Sequence, residues 1–230
     1  MQPSTIRADS SDYERIPVRT RLILRGDSLA GTIEEGMKQA GVSTKPDDVL
    51  VVSEKAVGAS QGRYYLLDED QIRPGPLARF LSKFVTRTPA GIGLGMPETM
   101  HCALEECGTA RILLAAVVGA VGKLFGRKGD FYRIAGPKAR SIDGPTTGTI
   151  PPFNRAVSLA PLDPQGVARR LAERFSCGAA VVDVNDLGAN LLAIYPADLD
   201  ADLLLSLLSD NPLGQGIQQT PVGIVRPISP

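Results

Sequence analysis

Four consecutive apolar residues, Val49 to Val52 in "DDVLVVSEKAV" (47–57), lack the in-out alternation of a half-exposed strand. Such a run reads as a strand buried on both faces, so the rest of the chain has to supply cover for it. A second apolar run, Ala179–Val182 in "GAAVVDVNDLGAN" (178–190), ends on Asp183, and Asn185, Asp186 and Asn190 follow. Helices are available as cover. In "RGDSLAGTIEEGMKQAGV", Asp27 or Ser28 can cap, Leu29, Ile33 and Met37 share a face, and Gly41 suits the left-handed position past the end. "PLARFLSKFV" (76–85) is amphipathic, with Leu77, Phe80, Leu81 and Phe84 on one side, and Pro97 opens a further helix. Asp163 as N-cap and Pro164 at the first helical position start a helix in which Val167, Leu171 and Phe175 recur every four residues. "DADLLLSLLSD" (200–210) is a short helix.

Strands are predicted at 16–24, at 110–125 with Gly119 and Gly122 as bend points, at 179–184, at 190–196 and in "PVGIVRP". Strands and helices mix without strict βαβ alternation, and no internal repeat is apparent. The expected fold class is therefore α+β (mixed α/β). Residues 1–14 are polar and read as a flexible tail. Residues 15–230 form the folded region, one large domain or two intertwined lobes, with a Gly/Pro/Ser/Thr-rich junction near 136–154.

Charge and cysteine usage exclude several classes. Lys+Arg and Asp+Glu are 25 each, and Trp is absent. Neither the basic footprint nor the stacking platform of a nucleic-acid binder is present, so no nucleic-acid partner is expected. The three cysteines, Cys102, Cys107 and Cys177, are an odd number in a chain of this size, which argues against a disulfide framework and for a reducing compartment. The N-terminus carries no apolar signal segment. The longest apolar run, Ile112–Gly122, falls short of the roughly 20 residues that span a bilayer. A cytoplasmic protein without a membrane partner is expected.

Most chemical motifs have plain readings. His101, Cys102 and Cys107 in "MHCALEECG" do not match zinc spacing and lack a full ligand set. "GIGLG" (91–95) lacks both the Walker Lys-Ser/Thr and dinucleotide-loop context. Three stretches are more informative together: "GPKARSIDGPTTG" (136–148) with Asp143, "VVDVND" with Asp183, and "NPLGQGIQQTP" (211–221) with Gln215 between two glycines. Carboxylate and amide oxygens suit a hard cation such as Mg²⁺ or Mn²⁺, and glycines let backbone N–H groups approach phosphate. Each stretch alone also reads as a turn.

Five segments in order along 16–226 resemble the F420-0:L-glutamate (γ-glutamyl) ligase family: "LILRGDSL" (22–29), "DDVLVVSEKAVGASQGR" (47–63), "PETMHCALEEC" (97–107), "VSLAPLDPQGVARRL" (157–171) and "LGQGIQQTPVGIVR" (213–226). The resemblance implies a two-lobed ligase fold. It implies a GTP- and divalent-metal-dependent enzyme that joins a phospholactate-type acid to L-glutamate, acting on nucleotide, acid and amino-acid substrates as a homodimer. Carried over by motif, the metal ligands fall on Asp143, Asp183 and Gln215. Nucleotide contacts fall on Leu22, Ile23, Glu54, Lys55, Thr146, Leu213, Gly214 and Gly216; no catalytic residue is assigned. The chain departs from the family's pattern at Gly58-Ala59, where the pattern has Ser-Lys, at Val184, where it has Thr, and at Ile217-Gln218, where it has Asp-Glu. These departures motivate two alternatives: a nucleotide- and metal-binding homologue without the ligase activity, and a dimeric interaction protein that reuses the fold.

Overall fold

The computed structural model describes residues 2–8, 11–85, 92–127, 129–185, 188–214 and 217–228. The chain divides into two compact units, residues 1–62 with 161–230, and residues 63–160. The boundaries fall at 62/63 and 160/161, not near 136–154; that segment lies wholly inside the second unit. Within the first unit the side-chain amide of Gln61 donates to the carbonyl of Leu162 (2.9 Å) and accepts from its N–H (2.7 Å), so the chain's exit and re-entry are clipped together.

The first unit is built on strands β1 (Ser4–Ala8), β2 (Ser11–Val18), β3 (Val49–Ser53), β6 (Gly178–Asn185), β7 (Gly188–Tyr195) and β8 (Val222–Ile228). They form one sheet in the order β1-β2-β8-β3-β6-β7. Only β3 and β6 run parallel; the other neighbours are antiparallel. The apolar run in β3 is buried on both faces as its composition requires, with Leu50, Val51 and Val52 fully buried. On one face, Val51, Ala180, Val182 and Val225 pack with Leu204, Leu207 and Leu208 of α9 (Ala201–Leu208). The alternate residues Leu50, Ala179 and Val181 are equally buried, so the opposite face is covered too. Helices α1 (Leu29–Ala40), α2 (Glu54–Ser60) and α8 (Pro164–Phe175) contact β2, β3, β6 and β7.

Helix ends follow the local chemistry. Ser28 caps α1 by accepting from Gly31 N, and Gly41 takes φ +67° past its end. Asp163 caps α8 by accepting from Gly166 N, with Pro164 next. Asp27 does not cap. It accepts from both Arg21 guanidinium nitrogens (2.7 and 3.0 Å) and from Leu24 N (2.7 Å), closing the loop before α1.

Three predicted elements come out differently. Residues 4–8 and 11–14 of the expected tail (1–14) are not a tail: they belong to the antiparallel strands β1 and β2, and the strand predicted at 16–24 ends at Val18. Ile6, Ala8 and Tyr13 join the α9 cluster, and buried Arg15 donates to the Leu207 carbonyl (3.1 Å). Residues 110–125 are not a strand but α5 (Thr109–Leu124). Its inward positions Ile112, Ala115, Gly119 and Gly122 follow the helical 3–4 spacing. The two glycines are contacts, not bends: a Cβ on Gly119 would stand 3.0 Å from Cβ of Phe131, and one on Gly122 2.3 Å from Oδ2 of Asp130, both on α6 (Asp130–Ala135). Phe80 and Phe84, expected on the inner face of α3 (Pro76–Leu81) and the 3-10 turn Ser82–Phe84, are exposed. They pack edge-to-face on each other with centroids 5.0 Å apart.

The second unit adds α4 (Pro97–Cys107), α7 (Pro137–Arg140) and a two-stranded sheet of β4 (Tyr64–Leu66) and β5 (Ala156–Ser158). Its core includes Leu94, Met100, Ile112, Ile142, Val157 and Leu159. Among the described residues no single helix is long and apolar enough to cross a membrane.

Candidate functional site

Register decides what gathers in the first unit. Val222 of β8 pairs with both Val18 of β2 and Val52 of β3, and Ser53 pairs with Val182 of β6. The ends of β2, β3 and β6 and the start of β8 therefore lie along one edge of the sheet. In sheets with parallel strands, the carboxyl ends of those strands are where ligands collect. Just past the edge come Thr20, Glu54, Asp183 and Thr220.

Each is held there. Thr20 is buried, and its N–H donates to the Gln219 carbonyl (2.9 Å). Ser53 N–H donates to the Pro221 carbonyl (2.8 Å), and its hydroxyl caps α2 by accepting from Ala56 N (3.3 Å). That cap turns the chain from strand to helix, so Glu54 sits at the first helical position and is buried, while Lys55 is exposed. Asp183 is half-buried. Its neighbours Val182 and Val184 pack with the α9 side, so by strand alternation Asp183 belongs to the other face. The Thr220 hydroxyl donates to the Leu213 carbonyl.

The remaining nucleotide candidates of this unit divide by exposure. Ile23 is buried and Leu22 half-buried, so this stretch offers mainly backbone atoms. It lies close to α2: Gly26 N–H donates to the Ser60 carbonyl (3.2 Å), and Arg25 lies over Gly62. The Arg21 hydrogen bond is the chief cause holding the Asp27 carboxyl below its usual range. Leu213 is an anchor, its side chain filling the space a Cβ on Gly223 would take (2.6 Å). Gly214 follows at φ +74°. Gln215 and Gly216 lie outside the described residues, as does Gly91 of the glycine-rich loop.

Asp143 and Thr146 belong to the second unit. Asp143 exchanges backbone hydrogen bonds with Ser158 (3.1 and 2.9 Å), its Oδ1 accepts from Gly144 N (2.9 Å), and it is half-buried. Thr146 donates its hydroxyl to the Gly144 carbonyl (3.2 Å). The Tyr132 phenol is pushed above its ordinary range chiefly by burial, with the Asp143 charge adding to it and a hydrogen bond from the Leu94 backbone opposing it. The family's motif also pointed to Thr20, at the start of its first-strand nucleotide stretch (20–23); Tyr132 and Thr220 were not singled out, and only the folded register and packing bring them to these positions.

Among the described residues no three His, Cys, Asp or Glu side chains converge as a ready metal cage. Mg²⁺ bound with a nucleotide does not need one: it is commonly held by one or two carboxylates, with phosphate oxygens and water completing the shell. An all-oxygen donor such as Asp183, half-buried at a sheet edge, fits that mode. In "MHCALEECG", Cys102 is a core residue whose thiol is pushed up to about 12, chiefly by burial, and His101 pairs with Glu105 (3.4 Å).

Comparison with known proteins agrees with the resemblance. The uncharacterized protein MJ1361 of Methanocaldococcus jannaschii is 36% identical over 62 residues, 27% of this chain. The chain spans about a fifth (20%) of that relative's length. The family model for F420-0:gamma-glutamyl ligase matches residues 17–184, a span that takes in β3, α2 and Asp183 of the sheet edge and the whole second unit. The chain belongs to the F420-0:gamma-glutamyl ligase family.

Proposed function

We propose that the chain is a nucleotide- and divalent-metal-dependent ligase that joins the carboxylate of a phospholactate-type acid to the amino group of L-glutamate. The observation that carries this reading is the pairing of β3 with β6, which sets buried Glu54 and half-buried Asp183 at adjoining strand ends in a member of this family. In the proposed reaction a carboxylate oxygen attacks the γ-phosphate of GTP, releasing GDP and leaving an acyl phosphate. The amine then attacks the acyl carbon, phosphate departs, and an amide forms. A bound Mg²⁺ or Mn²⁺ would offset charge developing on the transferred phosphoryl oxygens. Asp183 is the carboxylate proposed to hold that cation in the first unit, and Asp143 is the family's corresponding candidate in the second. The backbone of 22–23 and of Gly214 would line the nucleotide, and exposed Lys55 would meet phosphate as a point charge.

Thermal unfolding with GTP and Mn²⁺ or Mg²⁺ tests this. A ligand at about a hundred times its Kd stabilises the native state by about 2.7 kcal/mol. A rise in Tm with both together, lost in Asp183→Asn, is expected; an unchanged metal response in Asp183→Asn would refute the assignment.

A second reading, a homologue that binds without ligating, rests on one observation. Gly58 and Ala59, where the family's pattern has Ser-Lys, are buried in α2 and offer no polar side chain. Stabilisation by nucleotide and metal without amide formation would favour it. A homodimer, proposed from the family, is checked by light scattering.

A further inference from the structure

Helix α5 turns an apolar stripe outward. Leu114, Val117, Val121 and Leu124 recur at helical spacing and are exposed by 56%, 62%, 48% and 84%. At its C-terminal end the Lys123 ammonium donates to the Phe84 carbonyl (3.4 Å), which ties the segment carrying exposed Phe80 and Phe84 to the helix end, where Leu124 and Phe125 are exposed. A soluble monomer rarely leaves so many large apolar side chains in one patch without a use for them.

The charges around the patch say what covers it. No Asp or Glu occurs between Glu106 and Asp130, whereas Arg111, Lys123, Arg127 and Lys128 do. On the adjoining segment each exposed phenylalanine follows a cation, Arg79–Phe80 and Lys83–Phe84, and Lys123 precedes Leu124 and Phe125. The next carboxylate along the chain, Asp130, is buried and bridged by Arg127 (3.2 Å) and Arg133 (3.1 Å). Glu105 and Glu106 lie on α4, beyond a 117° bend; the first pairs with His101 and the second with Arg63. Two copies of α5 packed face to face would set Arg111 against Lys123 and Arg127 if antiparallel, and like against like if parallel. An apolar stripe bordered by cations is instead the pattern of a helix lying in the headgroup layer of an anionic bilayer. Lying on a bilayer asks far less length than spanning one, so the shortness of the Ile112–Gly122 run is no obstacle.

We propose that the outward face of α5, with Phe80, Phe84 and Phe125, docks the protein peripherally on an anionic lipid surface. Co-sedimentation of the full chain with phosphatidylcholine vesicles containing about a third phosphatidylglycerol tests this. Binding should fall at least about tenfold on pure phosphatidylcholine and at high salt, because the electrostatic part is screened. The double variant Leu124→Ser/Phe125→Ser replaces exposed side chains, so its Tm should match that of the parent, and its vesicle binding should also fall at least about tenfold. Lys83→Glu/Lys123→Glu should lose the preference for anionic lipid. Three results would each overturn the proposal: no sedimentation with anionic vesicles, sedimentation unaffected by Leu124→Ser/Phe125→Ser, or a dimer by light scattering that this variant converts to a monomer.

Discussion

Asp48 is the most deeply buried carboxylate among the described residues, only 1% exposed. It opens β3. Its Oδ1 accepts from Arg226 Nε (2.9 Å), and its Oδ2 accepts from Arg226 Nη2 (2.8 Å) and from Lys45 N (2.7 Å). Its own carbonyl accepts from Gly178 N (2.9 Å), at the start of β6. Asp48→Ala removes all three side-chain acceptor contacts and leaves the Arg226 guanidinium with the Ser43 carbonyl (2.7 Å) as its remaining partner in this group. Breaking a buried pair from one side costs about 3–5 kcal/mol. The Arg226 side chain is 17% exposed, so water relieves part of this, and the expected loss is about 2–4 kcal/mol. For a chain of this size that is a fall in Tm of about 4–16 °C. Arg226→Ala should cost at least as much, because it strands a carboxylate that water does not reach. The double variant should then cost about 2 kcal/mol less than the two singles summed, since the second change removes the charge the first leaves unpaired. Urea unfolding of the four proteins, followed by circular dichroism, gives the cycle. Additive losses, or a loss below about 1 kcal/mol for Asp48→Ala, would show that the pair is not the clamp its geometry implies.

Other tests address other links. The Cys102 thiol, raised by burial from about 9 to about 12, stays protonated in the folded protein where an unfolded chain would ionise. Its contribution to stability is therefore complete below about pH 9 and is lost as pH rises toward 12, and Cys102→Ala should flatten that alkaline limb of a pH-stability curve; an unchanged slope contradicts the assignment. Gly119→Val would force a branched side chain into the 3.0 Å approach to Phe131, at about 1–3 kcal/mol by urea unfolding, and a stabilised variant would mean that α5 and α6 are not packed as described. Leu50→Ala, in the doubly covered strand, should cost about 2–5 kcal/mol, and a cost near zero would argue that one face of β3 is open to solvent.

What could be read in the sequence was what short-range chemistry controls. Val49–Val52 announced a doubly covered strand, and Ser28, Gly41, Asp163 and Pro164 marked helix ends, because those preferences act within a few residues. The α5 segment misled because an apolar run does not by itself distinguish strand from helix. The 112/115/119/122 spacing held the answer, but its glycines resembled strand breaks until α6 supplied the surface they meet. β1 and the start of β2 are polar enough to look unstructured, and the pairing of β2 with β8 is a contact across almost the whole chain. The same holds at the sheet edge. Glu54 and Asp183 were each noticed, but nothing local says that Ser53 and Val182 are paired, or that Thr20 and Thr220 tie the neighbouring loops.

The clip between Gln61 and Leu162 carries one more consequence. A side-chain amide here makes the paired donor and acceptor contacts that a backbone makes in a ladder, so the two crossing points of the first unit are fixed by that unit alone. The second unit closes on itself in the same manner, with Leu159 N donating to the Arg63 carbonyl (2.9 Å) and Arg63 Nε to that of Ala160 (2.9 Å). The second unit is thus a guest inserted in the sequence of a host, and each keeps its own ends together. A host in which a short flexible linker replaces 63–160 needs no new contact to bring Gln61 and Leu162 into register. Changing the length of the guest is therefore expected to leave the six-stranded host and its edge in register.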